Sequence, residues 1–166
     1  MGVAPLFSGN PGLAGGRDLR RYAGLLTPML SLLRSLFERG PTTTGQQGED
    51  RAAAWLQQAR GFTVVVRNWR SPKDRRDEID LVCDDHGVLV FVEVKARAPG
   101  ALVPGYHAID QRKRRALRRA IGVYLRHLVV KPRTFRFDVV EVSSGSADGD
   151  VLHFENVPLF SKYFRP

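Results

Sequence analysis

Residues 77–97, from Asp77 to Arg97, read DEIDLVCDDHGVLVFVEVKAR, and this stretch decides the fold. Glu78-Ile79-Asp80-Leu81-Val82-Cys83 alternates polar and apolar side chains, the period-2 pattern of a strand. Asp84-Asp85-His86-Gly87 is turn chemistry. From Val88 to Lys95 the chain is rich in β-branched and aromatic residues and reads as the returning strand of a hairpin. Alternate side chains point to opposite faces, so Leu89, Phe91, Glu93 and Lys95 share one face and Val88, Val90, Val92 and Val94 the other. Either a two- or a four-residue turn fits. The expected pairing sets Glu78 across from Glu93 and Asp80 diagonal to Glu93, roughly 7–8 Å away at the backbone. Two carboxylates at that separation can converge on one divalent cation, with Lys95 two residues further along the same face.

A plainer explanation competes. Exposed charge is the norm, and a Glu-x-Lys triplet on a solvated sheet face needs no function. Two features weigh against it. Apolar residues on both faces imply a strand covered on both sides. Glu78, Asp80 and Glu93 are like charges, expected to strain the strand pair unless a cation neutralises them.

The chain has 166 residues, enough for one ordinary core. With 26 Lys+Arg against 17 Asp+Glu it carries a formal charge of +9, which favours a polyanionic partner, most simply nucleic acid. Its one cysteine, Cys83, lies in an apolar strand, so no disulfide forms within the chain. The four His residues are scattered and show no zinc spacing. No apolar run reaches spanning length, so no stable membrane insertion and a cytoplasmic location are expected. A homodimer is admitted but not required.

Outward from the hairpin, residues 1–43 differ in composition, with Gly, Pro and Ala early and an apolar stretch with scattered Arg at 22–37. A disordered or partly helical tail is expected there, with the folded domain at 44–166. Thr44-Gly45-Gln46-Gln47 is a capping-box pattern that opens a helix, and Gly61 closes it. Its apolar line runs through Ala52, Ala53, Leu56 and Ala59, and Glu49 lies on that line. An acid on a buried stripe is notable, although acids in a first turn also suit the helix dipole. Residues 62–69 read as a strand and 70–76 as a basic loop. A long helix is expected over 107–128, with its stripe through Ile109, Ala116, Leu117, Ala120, Ile121, Tyr124 and Leu128. Lys113 falls on that stripe, while Arg112, Arg114, Arg115, Arg118 and Arg119 fan over the other faces with no acid to pair them. Such a run is often a solvated face, but backbone phosphates are its natural partner. Residues 135–142 and 151–154 read as strands. An internal salt link or a solvated edge is the expected use of Arg136 and Asp138. The order α-β-β-β-α-β-β implies an α/β sandwich with a mixed sheet.

These pieces together resemble the restriction-endonuclease-like PD-(D/E)xK nuclease core and, more closely, the YraN family of small bacterial proteins. The residues that carry the resemblance are Gly48-Glu49, Arg67-Asn68, Glu78-Ile79-Asp80-Leu81, Phe91-Val92-Glu93-Val94-Lys95 with Arg97, Lys113, Arg136-Phe137-Asp138-Val139, His153 and Asn156. Asp77 departs from it, standing where the family usually has Gly. The resemblance implies a restriction-endonuclease-like three-layer sandwich, its mixed central sheet flanked by helices. It implies a metal-dependent endonuclease that hydrolyses phosphodiester bonds of DNA, structured or branched DNA included, with Mg²⁺ or Mn²⁺ as cofactor. Asp80 and Glu93 would be the metal ligands, Glu49, Asp80, Glu93 and Lys95 the catalytic set, and Glu78 a supporting acid. Arg97, Arg112, Lys113, Arg114, Arg115, Arg118 and Arg119 would contact nucleic acid, DNA in preference to RNA. The competing function is a non-catalytic nucleic-acid-binding protein on a nuclease scaffold. A third is a membrane-peripheral module docked by residues 25–37 and the arginines.

Overall fold

The structure, a computed structural model, describes residues 44–97, 109–143, 150–161 and 164. The expected tail over 1–43 lies outside these residues. The elements are α1 (Thr44–Arg60), β1 (Thr63–Arg70), β2 (Glu78–Asp85), β3 (Val88–Arg97), α2 (Gln111–His127), β4 (Phe135–Ser143) and β5 (Val151–Phe154). The order is the one expected from sequence, and strand limits move by two residues at most, β2 running on to Asp85 and β3 to Arg97. The helix expected from His107 begins instead at Gln111, because the Asp110 carboxylate accepts the Lys113 N–H at 2.7 Å and caps it there. Gly61 has φ 69, a left-handed conformation that ends α1, and the Phe62 N–H turns back onto the Leu56 carbonyl at 3.0 Å.

The five strands form one sheet in the order β1-β2-β3-β4-β5. All neighbours are antiparallel except β3 and β4, which are parallel and joined through α2. The sheet is therefore mixed. The alternation read in β3 divides the core. Leu89 and Phe91 pack with Leu117, Ile121 and Tyr124 of α2, whereas Val90 and Val92 pack with Ala52, Ala53 and Leu56 of α1. A helix thus covers each face of the sheet, which is why the central strands are apolar on both sides. Trp69 and Phe91 each meet the Tyr124 ring edge-on and fix α2 against the sheet.

One expectation fails, and it matters for the site. β2 and β3 are joined by the two-residue turn His86-Gly87, with φ of 51 and 97, the doubly left-handed geometry of a tight hairpin turn. Asp85 therefore faces Val88 and Leu81 faces Val92. This register excludes a Glu78–Glu93 pair; the ladder ends at Leu81–Val92, and Asp80 and Glu93 are the next residues beyond it on their two strands. The four-residue turn needed for a Glu78–Glu93 pair does not form. On the other side of β2, a bulge at Val65 shifts the β1 register, so that Arg67 faces Leu81 and Trp69 faces Ile79.

Candidate active site

Asp80 and Glu93 sit at the centre of the sheet on the α2 face. Glu93 is 1% exposed and Asp80 8%. Each is therefore a carboxylate under a helix, where an uncompensated charge is costly. Glu93 is compensated twice. Lys95 Nζ lies 2.9 Å from Oε1, and Lys113 Nζ lies 3.0 Å from Oε2, an ion pair whose angle falls short of a hydrogen bond. Asp80 is compensated less well: its Oδ2 accepts the Val94 N–H at 2.7 Å. Burial, reinforced by the Glu93 charge beside it, pushes the Asp80 carboxyl up to about 7, although Lys113 and the Val94 bond act the other way. The strain expected of three like charges is thus concentrated on Asp80, since Glu78 pairs with Arg70 at 3.2 Å and Glu93 holds both lysines.

Glu49 reaches the same corner from α1. Gly48 is buried with the Ala96 side chain close by, so the start of the helix passes over the end of β3. Glu49 is half-buried. Burial raises its carboxyl, a hydrogen bond with Asn68 opposes this, and the Glu78 and Glu93 charges add to the rise. Asn68 has φ 50, a left-handed conformation that Asn tolerates better than most residues. It stands across from Asp80 in the β1–β2 register. Asn68 belonged to the sequence resemblance without a role; in the structure it is the polar neighbour of Glu49.

Lys113 lies on the core-facing stripe of α2, as its position in the sequence implies. It was expected among the phosphate contacts, yet it closes over Glu93. Burial opposes its charge, but Glu93 and Asp80 more than offset this and raise its pKa. The signal was present, since a lysine on the apolar stripe of an amphipathic helix points at the core.

The remaining polar clusters are structural. The Asp138 carboxylate is wholly buried and accepts Arg136 Nε at 3.0 Å, His153 Nε2 at 2.9 Å and the Asn156 N–H at 2.8 Å. His153 in turn lies edge-on to Trp55 and Phe62. Cys83 is buried, and burial with the nearby Asp138 charge lifts its thiol to about 12, so it is inert at neutral pH. Among the described residues, no three His, Cys, Asp or Glu side chains converge as metal ligands, and no helix is long and apolar enough to cross a membrane.

Comparison with known proteins bears on this corner. The model of "Uncharacterised protein family UPF0102" matches residues 48–142. A UPF0102 protein of Anaeromyxobacter dehalogenans is 42% identical over 116 residues, 69% of this chain and 83% of the relative. One from Symbiobacterium thermophilum is 44% identical over 101 residues, 61% of this chain and 82% of the relative. Another, from Solibacter usitatus, is 42% identical over 119 residues, 72% of this chain and 87% of the relative. The chain belongs to the UPF0102 family, also called YraN. The matched span holds Glu49, Asn68, Asp80, Glu93, Lys95 and Lys113.

In this UPF0102 protein the basic residues of α2 divide into two groups. Arg114 and Arg118 donate to the backbone carbonyls of Pro158 and Leu159, the latter at 2.7 Å, and so clasp the C-terminal segment. Arg97 pairs at 2.6 Å with the buried Glu141. Arg112, Lys113, Arg115 and Arg119 border a cleft of about 490 Å³. One wall is the loop after β1, with Asp74, Arg76 and Asp77. The opposite wall is the first turns of α2, with Arg112, Lys113, Arg115 and Arg119. Asp77, the departure noted in the sequence, is 4% exposed and binds Arg119 through Nε at 2.9 Å and Nη2 at 2.6 Å. Arg76 grips Asp74 in the same way and holds that carboxyl down to about 2.

Proposed function

We propose that this protein is a metal-dependent phosphodiesterase acting on nucleic acid, DNA in preference to RNA, built on a restriction-endonuclease-like sandwich. One observation carries the reading: two buried carboxylates, Asp80 and Glu93, lie on adjacent strands just beyond the last ladder pair, with Lys95 on the second. An acid raised to about 7 by burial and, second, by a neighbouring acid is a group that gains from a cation. All-oxygen donors suit Mg²⁺ or Mn²⁺, which keep several waters and need only a few protein ligands. Asp80 and Glu93 would hold the ion, with Glu49 and the Glu78 position as outer support. Such an ion, when bound, supplies positive charge and acidified water for phosphodiester hydrolysis. Lys95, freed in part from Glu93, would orient the water or meet the charge developing on the phosphate oxygens. Exposed arginines such as Arg112 and Arg115 would hold backbone phosphates, which positions a strand without reading its sequence.

A second reading has its own support. Both Glu93 oxygens are occupied by lysines, and the carboxylates do not converge among the described residues. A non-catalytic nucleic-acid-binding protein on the same scaffold would look like this. Paired cleavage and gel-shift assays separate the two, using single-stranded, duplex, forked and four-way DNA with Mg²⁺ or Mn²⁺. Cleavage is expected, with Asp80→Asn, Glu93→Gln and Lys95→Ala each losing it by ~10²-fold or more while still binding. Binding without cleavage of any substrate would favour the scaffold.

A further inference from the structure

The cleft between the loop after β1 and the start of α2 has a shape and a lining that the hydrolytic reading leaves unexplained. Its volume, about 490 Å³, is on the scale of one or two nucleotides. Five cationic side chains line it, Arg76, Arg112, Lys113, Arg115 and Arg119, against three carboxylates. Those carboxylates are committed. Asp110 caps α2, while Asp74 and Asp77 each hold a guanidinium through Nε and Nη2. A guanidinium gripped along that edge still has its Nη1 hydrogens outside the bonds and is held in one orientation, as phosphate recognition favours. Lys113 lines the cleft, and its Nζ lies 3.0 Å from Glu93. Lys113 is therefore shared between the cleft and the buried acids, which do not themselves line the cleft.

We propose that this cleft takes the sugar–phosphate backbone of a single nucleic-acid strand and directs it to Glu93 and Asp80, so that unpaired ends or gaps, rather than continuous duplex, are the ligand class. The proposal rests on the nucleic-acid reading above and narrows it. Burial supplies the reason. Glu93 and Asp80 are almost wholly covered, so a phosphodiester must descend into the cleft to meet them. A single strand can do so. A duplex, whose major groove alone is ~12 Å wide, remains on the surface. Among the described residues the lining is charged and includes no aromatic ring, so contact there is through phosphates and is sequence-independent and steeply salt-dependent.

The test is equilibrium binding of the full chain in EDTA, which does not require cleavage. Fluorescently labelled oligothymidylate of ~12 nucleotides is compared with a blunt duplex of the same length. The single strand is expected to bind ~10-fold tighter or more. Arg112→Ala with Arg115→Ala should weaken that binding ~10-fold and reduce the log–log salt slope by ~1.4, the share of two phosphates on a single strand. Arg126→Ala with Arg133→Ala removes the same charge from exposed positions outside the cleft and should change affinity much less. All these positions are exposed, so melting temperatures should match wild type; if the double variant misfolds, Arg115→Glu alone is used. Equal affinity for duplex and single strand, or equal losses in the two double variants, would overturn the proposal. Failure to cleave any substrate would remove the hydrolytic reading and leave this result standing. Cleavage of duplex that Arg112→Ala with Arg115→Ala does not affect would do the reverse.

Discussion

At the scale of single residues, the site turns on how two adjacent acids share one environment. Two ammonium groups flank Glu93, whereas Asp80 is raised by burial and by the acid beside it. The Asp80 carboxyl stands near 7 when folded and near 3.9 when unfolded, so between those values the native state holds more protons than the unfolded chain. Its contribution to stability is therefore full below about pH 4 and is lost as pH rises toward 7. Other carboxylates titrate at the acid end, so the informative quantity is the difference between wild type and Asp80→Asn. In EDTA that difference should move steadily against wild type from pH 5 to pH 8. A difference that stays flat would mean another group carries the titration. Because repulsion from Glu93 ranks second only to burial in raising Asp80, Glu93→Gln should lower the Asp80 midpoint, which carboxyl-carbon NMR can follow. Much of this site was legible. Period-2 alternation placed Asp80, Glu93 and Lys95 on one face, and Glu49 stood out as an acid on an apolar line. What the chain alone did not reveal was which lysines Glu93 would meet. Lys113 is twenty residues away in sequence, and only the packing of α2 on the sheet brings it there.

At the scale of elements, the register of one hairpin decides which acids face each other. His86-Gly87 forms a two-residue turn, and had Asp84 to Gly87 all been loop, Glu78 would oppose Glu93 instead. Both turns were compatible with the composition, and the difference between them rests on His86 accepting a positive φ of 51. Gly87→Ala meets no atom within 4 Å, so its cost is backbone strain alone, about 1–2 kcal/mol in denaturant unfolding. Asp138 should be far more sensitive, because it joins β4, β5 and the turn that follows. Arg136, His153 and the Asn156 amide all depend on its two oxygens. Asp138→Ala leaves a largely buried guanidinium and an imidazole without their anion, a loss of about 3–5 kcal/mol. Asp138→Asn retains one acceptor oxygen and should lose less. Urea unfolding of the pair measures both, and equal, small losses would show that the cluster relaxes onto other partners such as Asp85, which Arg136 already meets at 2.9 Å. The clasp by Arg114 and Arg118 shows the limit of reading a basic run. The sequence distinguishes apolar from polar helix faces, but not which polar face is later covered by the segment that follows β5.

At the scale of the whole molecule, a chain of net charge +9 keeps two buried acids beside Lys113, which also lines a basic cleft. The arginines favour a polyanion, while Asp80 and Glu93 repel one until a cation arrives. Metal and nucleic acid should therefore help each other bind, since the ion removes the repulsion that the phosphate would meet. The simplest consequence needs no nucleic acid. A divalent cation that binds only the folded state stabilises it by mass action, by about 2.7 kcal/mol at one hundred times its dissociation constant. In a chain of this size that corresponds to a melting temperature higher by roughly 5–10 °C. The ion must compete with Lys95 and Lys113 for Glu93, so Lys113→Gln should reach the same rise at lower metal concentration. Asp80→Asn and Glu93→Gln should lose most of the rise, because each removes one of the two opposed charges. Melting curves of the four proteins across a Mg²⁺ and a Mn²⁺ series make the comparison. If all four respond equally, the cation binds elsewhere, and the two carboxylates serve only to hold α2 to the sheet through Lys113.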